Sequence, residues 1–447
     1  MGLALIEDGL FGLRCSAAVI GLLALALTYL AIRAFWGDGW AFWASLLLAC
    51  NHWHLYLSHS GVHYVQAELF YAGALLLLIY SMRWQSQGLH LFAGIWLGLG
   101  LMSYQANHLL PFLWLASRAT WGLCQREPLS VMMKRLAFML AALGLTLAPL
   151  LVHEWMLSGE VEFLTARAES VAAWQAQNWV HELESQQLSD APLGFWLEQV
   201  ERALLAPVFY RDRSGQYGAP FAMLDPVSGA LWGIGLAVCV WRIRKAQYGL
   251  PLFWLAAVLI LGGALSIDTP FYPRLAGAPP LLFMIVAVGL KAVFERAFRV
   301  SRVLAWTLII SLTAFSGYQN TVRFYHIYGR QLAPDTVHYQ QTQLADLTLR
   351  HANVTWYVLA GGPGLLNSGT VRFLHPTVKG RDLQSPQQLP GRFEQPSVLL
   401  VPAGRKDWLA WALRNFPDRR VEMRYDDRGR FAFYLYWLQE KEMRAGG

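Results

Sequence analysis

Charge is scarce in this chain. Of its 447 residues 15% are charged and 55% are hydrophobic, whereas a typical soluble domain carries about 25% charged residues. That balance excludes an ordinary water-soluble globule. The four cysteines, Cys15, Cys50, Cys124 and Cys239, fall within or at the ends of apolar runs. None forms a CxxC pair or a Cys/His cluster, so neither a zinc-thiolate centre nor a disulfide framework is expected. No P-loop or G-x-G-x-x-G spacing leads into a helix, and Gly361-Gly-Pro-Gly364 reads as a turn after a strand. The first 16 residues contain neither the basic segment nor the cleavable apolar segment of a signal peptide.

What the chain has in abundance is long apolar runs and aromatic residues. A helix needs roughly 20 apolar residues to cross a bilayer core. Ten runs are read as spans: about 17–33, 40–57, 66–83, 89–103, 106–122, 136–153, 228–244, 250–267, 276–294 and 303–319. The 20 Trp, 23 Phe and 18 Tyr suit a protein with many water–lipid boundaries. The net charge of +7 is not a nucleic-acid signal, because the cations gather in short loops between apolar runs. Arg33, Arg83, Arg126, Lys134, Arg135, Arg242, Arg244, Lys245, Arg296, Arg299 and Arg302 lie in alternate loops. By the positive-inside rule those loops face the cytoplasm. Both termini then lie outside it, and an upstream helix missing from the chain is an equally simple expectation.

Two regions lie outside the runs. Residues 154–227 form an external segment, expected to hold amphipathic surface helices, with apolar residues at helical spacing around Phe195, Leu197, Val200 and Leu204. Residues 1–319 thus make the membrane module. Residues 320–447 are polar and read as an extracytoplasmic α/β domain: a helix at 336–351, strands at 354–360 and 397–401, a helix through 408–412, and a hairpin of 421–425 and 430–436. The expected fold class is mostly α, polytopic, with about ten spans and this small α/β domain.

One short outer loop breaks the charge rule. Asp268-Thr-Pro-Phe-Tyr-Pro-Arg274 carries a cation, Arg274, where its counterparts have almost none. The planar fork of arginine suits a phosphate, and ionisable groups at membrane depth default to functional candidates. The stretch Asn51 to Glu68 adds His59, His63 and Glu68 on the same side. His59 and His63 are four apart and would share a helical face; with Glu68 they are candidate ligands for a divalent metal. The alternatives for this group are interface residues bonded to water and helix ends, or contacts to a lipid phosphate or a sugar. Tyr104 and His108, in the next outer turn, join Asp268, Tyr272 and Arg274 as candidate lining of one outer-leaflet cavity.

Four segments carry a family resemblance: Leu10-Phe-Gly-Leu-Arg-Cys-Ser-Ala-Ala-Val-Ile-Gly21; Gly94 to Tyr104 with Pro111; Phe163-Leu-Thr-Ala-Arg167; and Pro220 to Pro226 followed by Tyr272-Pro-Arg274 and Pro279. In order and spacing the chain resembles the GT-C fold polytopic glycosyltransferases, closest to the protein-mannosyltransferase and aminoarabinose-transferase-like family. The resemblance implies a polyprenyl-phosphate-linked sugar donor in the outer leaflet of a bacterial inner membrane, and transfer to an external acceptor that the sequence does not name. It also implies an acidic residue in the first external loop, often near a divalent metal, and a cation on the leaving phosphate, matched by Arg274. The chain departs from the pattern in two ways. The first helix and its acid-bearing loop are not found, leaving Glu7, Asp8 and Glu68 as the candidate acids, and His59 and His108 stand where many relatives carry arginine. A neutral histidine cannot replace arginine on a phosphate. The alternative reading is a non-catalytic GT-C-like scaffold or lipid-carrier-binding subunit, with a membrane-protein partner.

Overall fold

The structure is a computed structural model of the full chain, and it describes residues 9–158, 172–173, 175, 192–214, 217–332, 337–359, 364–390, 395–402, 406–415, 420–425 and 431–438. The chain divides into two compact units, one over Phe11–Tyr328 and one over Gly329–Gly447.

The first unit is helical. It comprises α1 (Gly9–Trp36), α2 (Asp38–Cys50), α3 (His52–His59), α4 (Val65–Trp84), α5 (Gln87–Ser103), α6 (Leu110–Cys124), α7 (Leu129–Ser158), α8 (Pro192–Leu205), α9 (Pro226–Trp241), α10 (Ala246–Ala257), α11 (Ala278–Phe298) and α12 (Arg302–Thr321). Wide π-type turns extend α10 through Val258–Ala264 and α12 through Val322–Leu332.

The count of about ten spans needs correction. Among the described residues four helices are long and apolar enough to cross a membrane: Phe11–Trp36, Val65–Trp84, Leu129–Leu157 and Ala246–Ala264. The run at 40–57 is broken because Asn51 leaves helical geometry and its side chain caps the next helix, accepting from the N–H groups of Trp53 and His54. The runs at 89–103, 106–122 and 228–244 form helices of 17, 15 and 16 residues, short of the roughly 20 needed. Every residue of α11 from Ala278 to Leu290 is buried by protein, and the C-terminal half of α12 carries Ser316 and Asn320. Hydropathy registers none of these breaks and pairings.

The surface is nevertheless that of a multi-pass membrane protein. Leu22 on α1, Leu145 on α7 and Val303 on α12 are 65%, 77% and 74% exposed, as are many large apolar neighbours along the same helices. Continuous apolar surface of this kind is unstable in water and natural against lipid. The helices pack through small residues, the usual solution where lipid removes the hydrophobic drive. A Cβ at Gly289 on α11 would collide with the Leu231 carbonyl on α9, and one at Gly235 on α9 with the Ile285 carbonyl on α11.

Inside this unit α6 carries a charge that the apolar run conceals. Arg118 is buried, donates to His90 Nε2 on α5 at 3.2 Å and to Glu127 at 2.7 Å, and Glu127 also pairs with Arg135. The cluster ties the ends of α5, α6 and α7.

The second unit is a five-stranded sheet in the order β2-β1-β3-β5-β4, built from β1 (Thr355–Leu359), β2 (Gly380–Leu383), β3 (Ser397–Pro402), β4 (Val421–Tyr425) and β5 (Phe431–Trp437). Strands β2, β1 and β3 run parallel, and β5 pairs antiparallel with both β3 and β4. Helix α13 (Val337–Arg350) precedes β1, α14 (Gly369–Leu374) crosses from β1 to the parallel β2, and α15 (Lys406–Asn415) leads from β3 to β4. Ser397 to Val401 is buried without a break, as a central strand covered on both faces requires. One core layer holds Leu344, Trp356, Val358, Val398 and Leu400, the other Leu399, Val401, Ala412 and Tyr436. Strand β2 was not foreseen. It is four residues long and polar, and Asp382 within it accepts the N–H groups of Leu366 and Asn367.

Candidate functional site

The Asp268–Arg274 loop is the hub of the first unit's polar structure. Asp268 has φ 61°, a left-handed conformation that turns the chain sharply. Buried Thr269 donates to the carbonyls of Gly263 at 2.8 Å and Ser266 at 2.9 Å. Tyr272 is completely buried, and its hydroxyl donates to the carbonyls of Tyr210 at 2.6 Å and Phe221 at 3.1 Å. Arg274 lies 4.2 Å from the centre of the Phe271 ring, and its Nη1 donates to the Ile267 carbonyl. The guanidinium is therefore held against its own loop.

The residue that locks this loop to the segment before α9 is Asp212, which sequence reading passed over. It is buried. Its carboxylate accepts the N–H groups of Ser214 at 2.9 Å, Gly218 at 3.0 Å and Tyr272 at 3.0 Å, together with the Ser214 hydroxyl. Burial pushes its pKa above the ordinary carboxylate value, and the four donors pull the other way without reversing it. The Arg213 N–H, next in sequence, donates to the Pro270 carbonyl at 3.1 Å.

A second set of contacts joins α3, α9 and α12. The Asn51 amide donates to the Met223 carbonyl at 2.9 Å. The His52 ring contacts the Tyr217 hydroxyl at 2.7 Å and the Ala222 carbonyl at 2.9 Å, and its backbone N–H donates to Asn320 at 3.0 Å. Asp225 caps α9, accepting the N–H groups of Val227 and Ser228 on one oxygen, and Ser316 and Asn320 on the other at 2.9 Å each. Burial alone would raise Asp225, but the bonds from Ser228, Asn320 and Ser316 outweigh it and hold the acid below the ordinary value. Tyr217 stacks on Tyr56 and meets Tyr328 at a tilt, with ring centres at 4.2 and 4.7 Å. The Asp225-Pro226 pair is a legible helix start; the partners on α12 had no local signal.

The expected site residues divide. Tyr104, Tyr272 and the loop of Asp268 and Arg274 come together, since the Tyr104 hydroxyl donates to the Pro273 carbonyl at 3.1 Å. His63 joins them by packing its ring on Tyr104 at 4.9 Å. His59 faces elsewhere, with its ring near Phe324 and Tyr325 and its Nδ1 at 2.9 Å from the Leu55 carbonyl. His108 is half-buried; burial lowers its pKa and so favours the neutral ring, while a bond to the Leu101 carbonyl opposes it. Glu68 is buried and paired to His54 Nδ1 at 2.6 Å. The trio His59, His63 and Glu68 does not assemble: among the described residues no three His, Cys, Asp or Glu side chains form a metal-binding group. The correction has a simple cause, because His54 rather than His59 or His63 takes the carboxylate as α3 folds back on α4. Glu7 and Asp8 lie outside the described residues.

No protein-family model and no curated protein matches the chain in sequence. Among solved structures, it is similar to ArnT from Cupriavidus metallidurans in the apo state, an aminoarabinose transferase, with TM-score 0.59 and 14% identity, covering 97% of this chain and 85% of that one. The archaeal oligosaccharyltransferase AglB from Archaeoglobus fulgidus, in complex with an inhibitory peptide and a dolichol-phosphate, gives TM-score 0.48 and 14% identity, covering 97% of this chain and 64% of that one. The Archaeoglobus fulgidus oligosaccharyltransferase complex with Zn and sulfate gives 0.47 and 14%, covering 94% and 61%. This chain thus spans less than two thirds of the oligosaccharyltransferase chains. The likeness to ArnT shows the fold: the chain has the GT-C fold.

Proposed function

We propose that this chain is a glycosyltransferase of the bacterial inner membrane that moves a sugar from a polyprenyl-phosphate donor to an acceptor at the external face. The observation that carries the reading is the GT-C fold over nearly the whole chain, with an arginine-bearing outer loop anchored by Asp212 and Tyr272. As the bond between sugar and phosphate breaks, negative charge collects on the phosphate oxygens. A cation already oriented there, with no reorganisation left to make, lowers that barrier. Arg274 is assigned this role. Its stacking on Phe271 and its bond to the Ile267 carbonyl restrict the side chain before a donor arrives.

The test is transfer from polyprenyl-phosphate-linked pentoses and hexoses by the purified full chain. The variant Arg274→Ala is expected to lower transfer on the order of a hundredfold, the usual effect of removing one such charge stabiliser. Undiminished transfer by that variant would overturn the leaving-group assignment.

One observation favours a second reading, a lipid-carrier-binding subunit without catalysis. Among the described residues the buried acids Glu68, Asp212 and Asp225 are committed within the protein: Glu68 to His54, Asp212 to four donors, Asp225 to four donors. On that reading the chain binds polyprenyl phosphate and transfers no sugar from any donor offered.

A further inference from the structure

The sheet of the second unit has two edges, and they differ in kind. One is β2, four residues long and polar. The other is β4, Val421-Glu-Met-Arg-Tyr425, which pairs with β5 on one side and, among the described residues, with no strand on the other. Its alternate residues Val421, Met423 and Tyr425 share one face and are exposed, Met423 and Tyr425 at 56% each. Edge strands are usually blunted by lysine, proline or brevity, because their open backbone groups invite another strand. β4 contains neither lysine nor proline, and its exposed face is apolar. The hydrogen bonds to β5 show which backbone groups are open. The Trp437 N–H donates to the Arg420 carbonyl at 3.0 Å. In the observed register Arg420, and by alternation Glu422 and Arg424, then exchange bonds with β5. The N–H and C=O of Met423, between them, turn to the outer edge. The charges sit symmetrically about Met423: Glu422 and Arg424 pair within the strand at 2.7 Å, and both are partly exposed.

We propose that β4 pairs antiparallel with β4 of a second copy of this chain, about a two-fold axis through Met423, so that the two sheets join into one. In that register Met423 faces Met423, Val421 faces Tyr425, and Glu422 faces Arg424 on both sides of the axis. The Met423 N–H of each copy donates to the Met423 carbonyl of the other. The two in-strand ion pairs close into a ring of alternating charge, and opposite charges set across a strand pair are stabilising. Shifting the axis to Glu422 or to Arg424 would set each of those residues on its own copy, like charge on like, which is destabilising. A contact between identical surfaces must be complementary to itself, and β4 is. A strand from a different protein would need the same charges in reversed order, which a second copy supplies by symmetry. The pairing does not depend on whether the chain transfers sugar. Five residues a side make a small contact, so the dimer is expected to be reversible, and cross-linking is the suitable measure of it.

The test uses the full chain in detergent, with its four native cysteines replaced by alanine and Met423→Cys added. Across the symmetric pair the two Cα atoms lie about 5.5 Å apart, within reach of a short thiol-bridging reagent. The expected result is a cross-linked dimer from Met423→Cys and none from Arg381→Cys on the opposite edge. Glu422→Arg or Arg424→Glu, each combined with Met423→Cys, sets like charges opposite each other on both sides of the axis. Each is expected to lower the dimer yield on the order of tenfold. Mixing the two variants makes every facing pair opposite in charge again, and cross-linking is expected to return in the mixture. Neither misfolding nor loss of the in-strand ion pair accounts for such a rescue, because both variants keep those defects when mixed. A Met423→Cys chain that stays monomeric would overturn the proposal; that is the result if another segment of this chain or a different protein covers the edge. So would a charge variant that cross-links as well as its parent, or a mixture that cross-links no better than its components.

Discussion

Asp212 shows how a single buried side chain can set the geometry of a site it does not line. Four donors converge on one carboxylate, and one of them, the Tyr272 N–H, belongs to the loop of Arg274, 60 residues further on. Replacement by asparagine keeps the shape but turns an acceptor atom into a donor facing other donors. Asp212→Asn is therefore expected to cost about 1–3 kcal/mol, read as a lower thermal midpoint and faster amide exchange through residues 268–275. Unchanged exchange there would show that the loop holds itself. In the second unit the informative residue is His375, buried with its Nδ1 3.2 Å from the Thr348 hydroxyl. Burial lowers its pKa from the ordinary 6.5. The neutral ring is the form that fits, so its contribution is present above pH 6.5 and is lost as pH falls through the lowered value. Amide exchange in α13 and α14 should accelerate on acidification below that point, and His375→Gln should remove the acceleration.

At the scale of elements, α9 and α11 meet backbone to backbone because Gly235 and Gly289 leave room. Neither helix can move outward without losing contact along the whole pair, since a Cβ at Gly289 runs into the Leu231 carbonyl. Gly289→Leu is expected to separate them and lower the yield of monodisperse protein and its thermal midpoint, whereas Gly144→Leu, where a Cβ meets nothing within 4 Å, is expected to be neutral. Element ends carry most of the polar chemistry. Asn51 ends α2 and starts α3, Asp225 starts α9, and the Val322–Leu332 turn that follows α12 delivers Arg323 and Tyr328. The apolar runs located the helices with fair accuracy. They did not locate the breaks, because a cap such as Asn51 adds a single polar residue to a window that remains apolar on average.

For the whole molecule, the alternation of basic loops argues a definite orientation. In right-side-out vesicles, with native cysteines replaced by alanine, a membrane-impermeant maleimide is expected to label Arg211→Cys and to leave Arg299→Cys unlabelled until the membrane is opened. The reverse pattern would invert the topology. The GT-C fold was legible from ordered motifs scattered over most of the chain, and the sheet of the second unit from strand periodicity. The contact of Tyr104 with the loop of Tyr272 and Arg274 joins residues that stand out locally in the sequence: a lone cation in a short loop, and aromatic residues in turns between apolar runs.

What the sequence determined alone is everything that depends on local averages: an apolar, lipid-facing helical unit and a polar unit that follows it. Those properties follow from transfer energies and backbone periods that act over 10–20 neighbouring residues at most. The tertiary structure decided the partners. Glu68 went to His54 instead of a metal trio, Asp212 reached Tyr272, Asp225 reached Asn320, and Arg323 came to line a cavity beside Phe221. A buried polar group is satisfied by whichever donor or acceptor packing brings within about 3 Å, and that neighbour is set by how distant helices pack, which no local window contains.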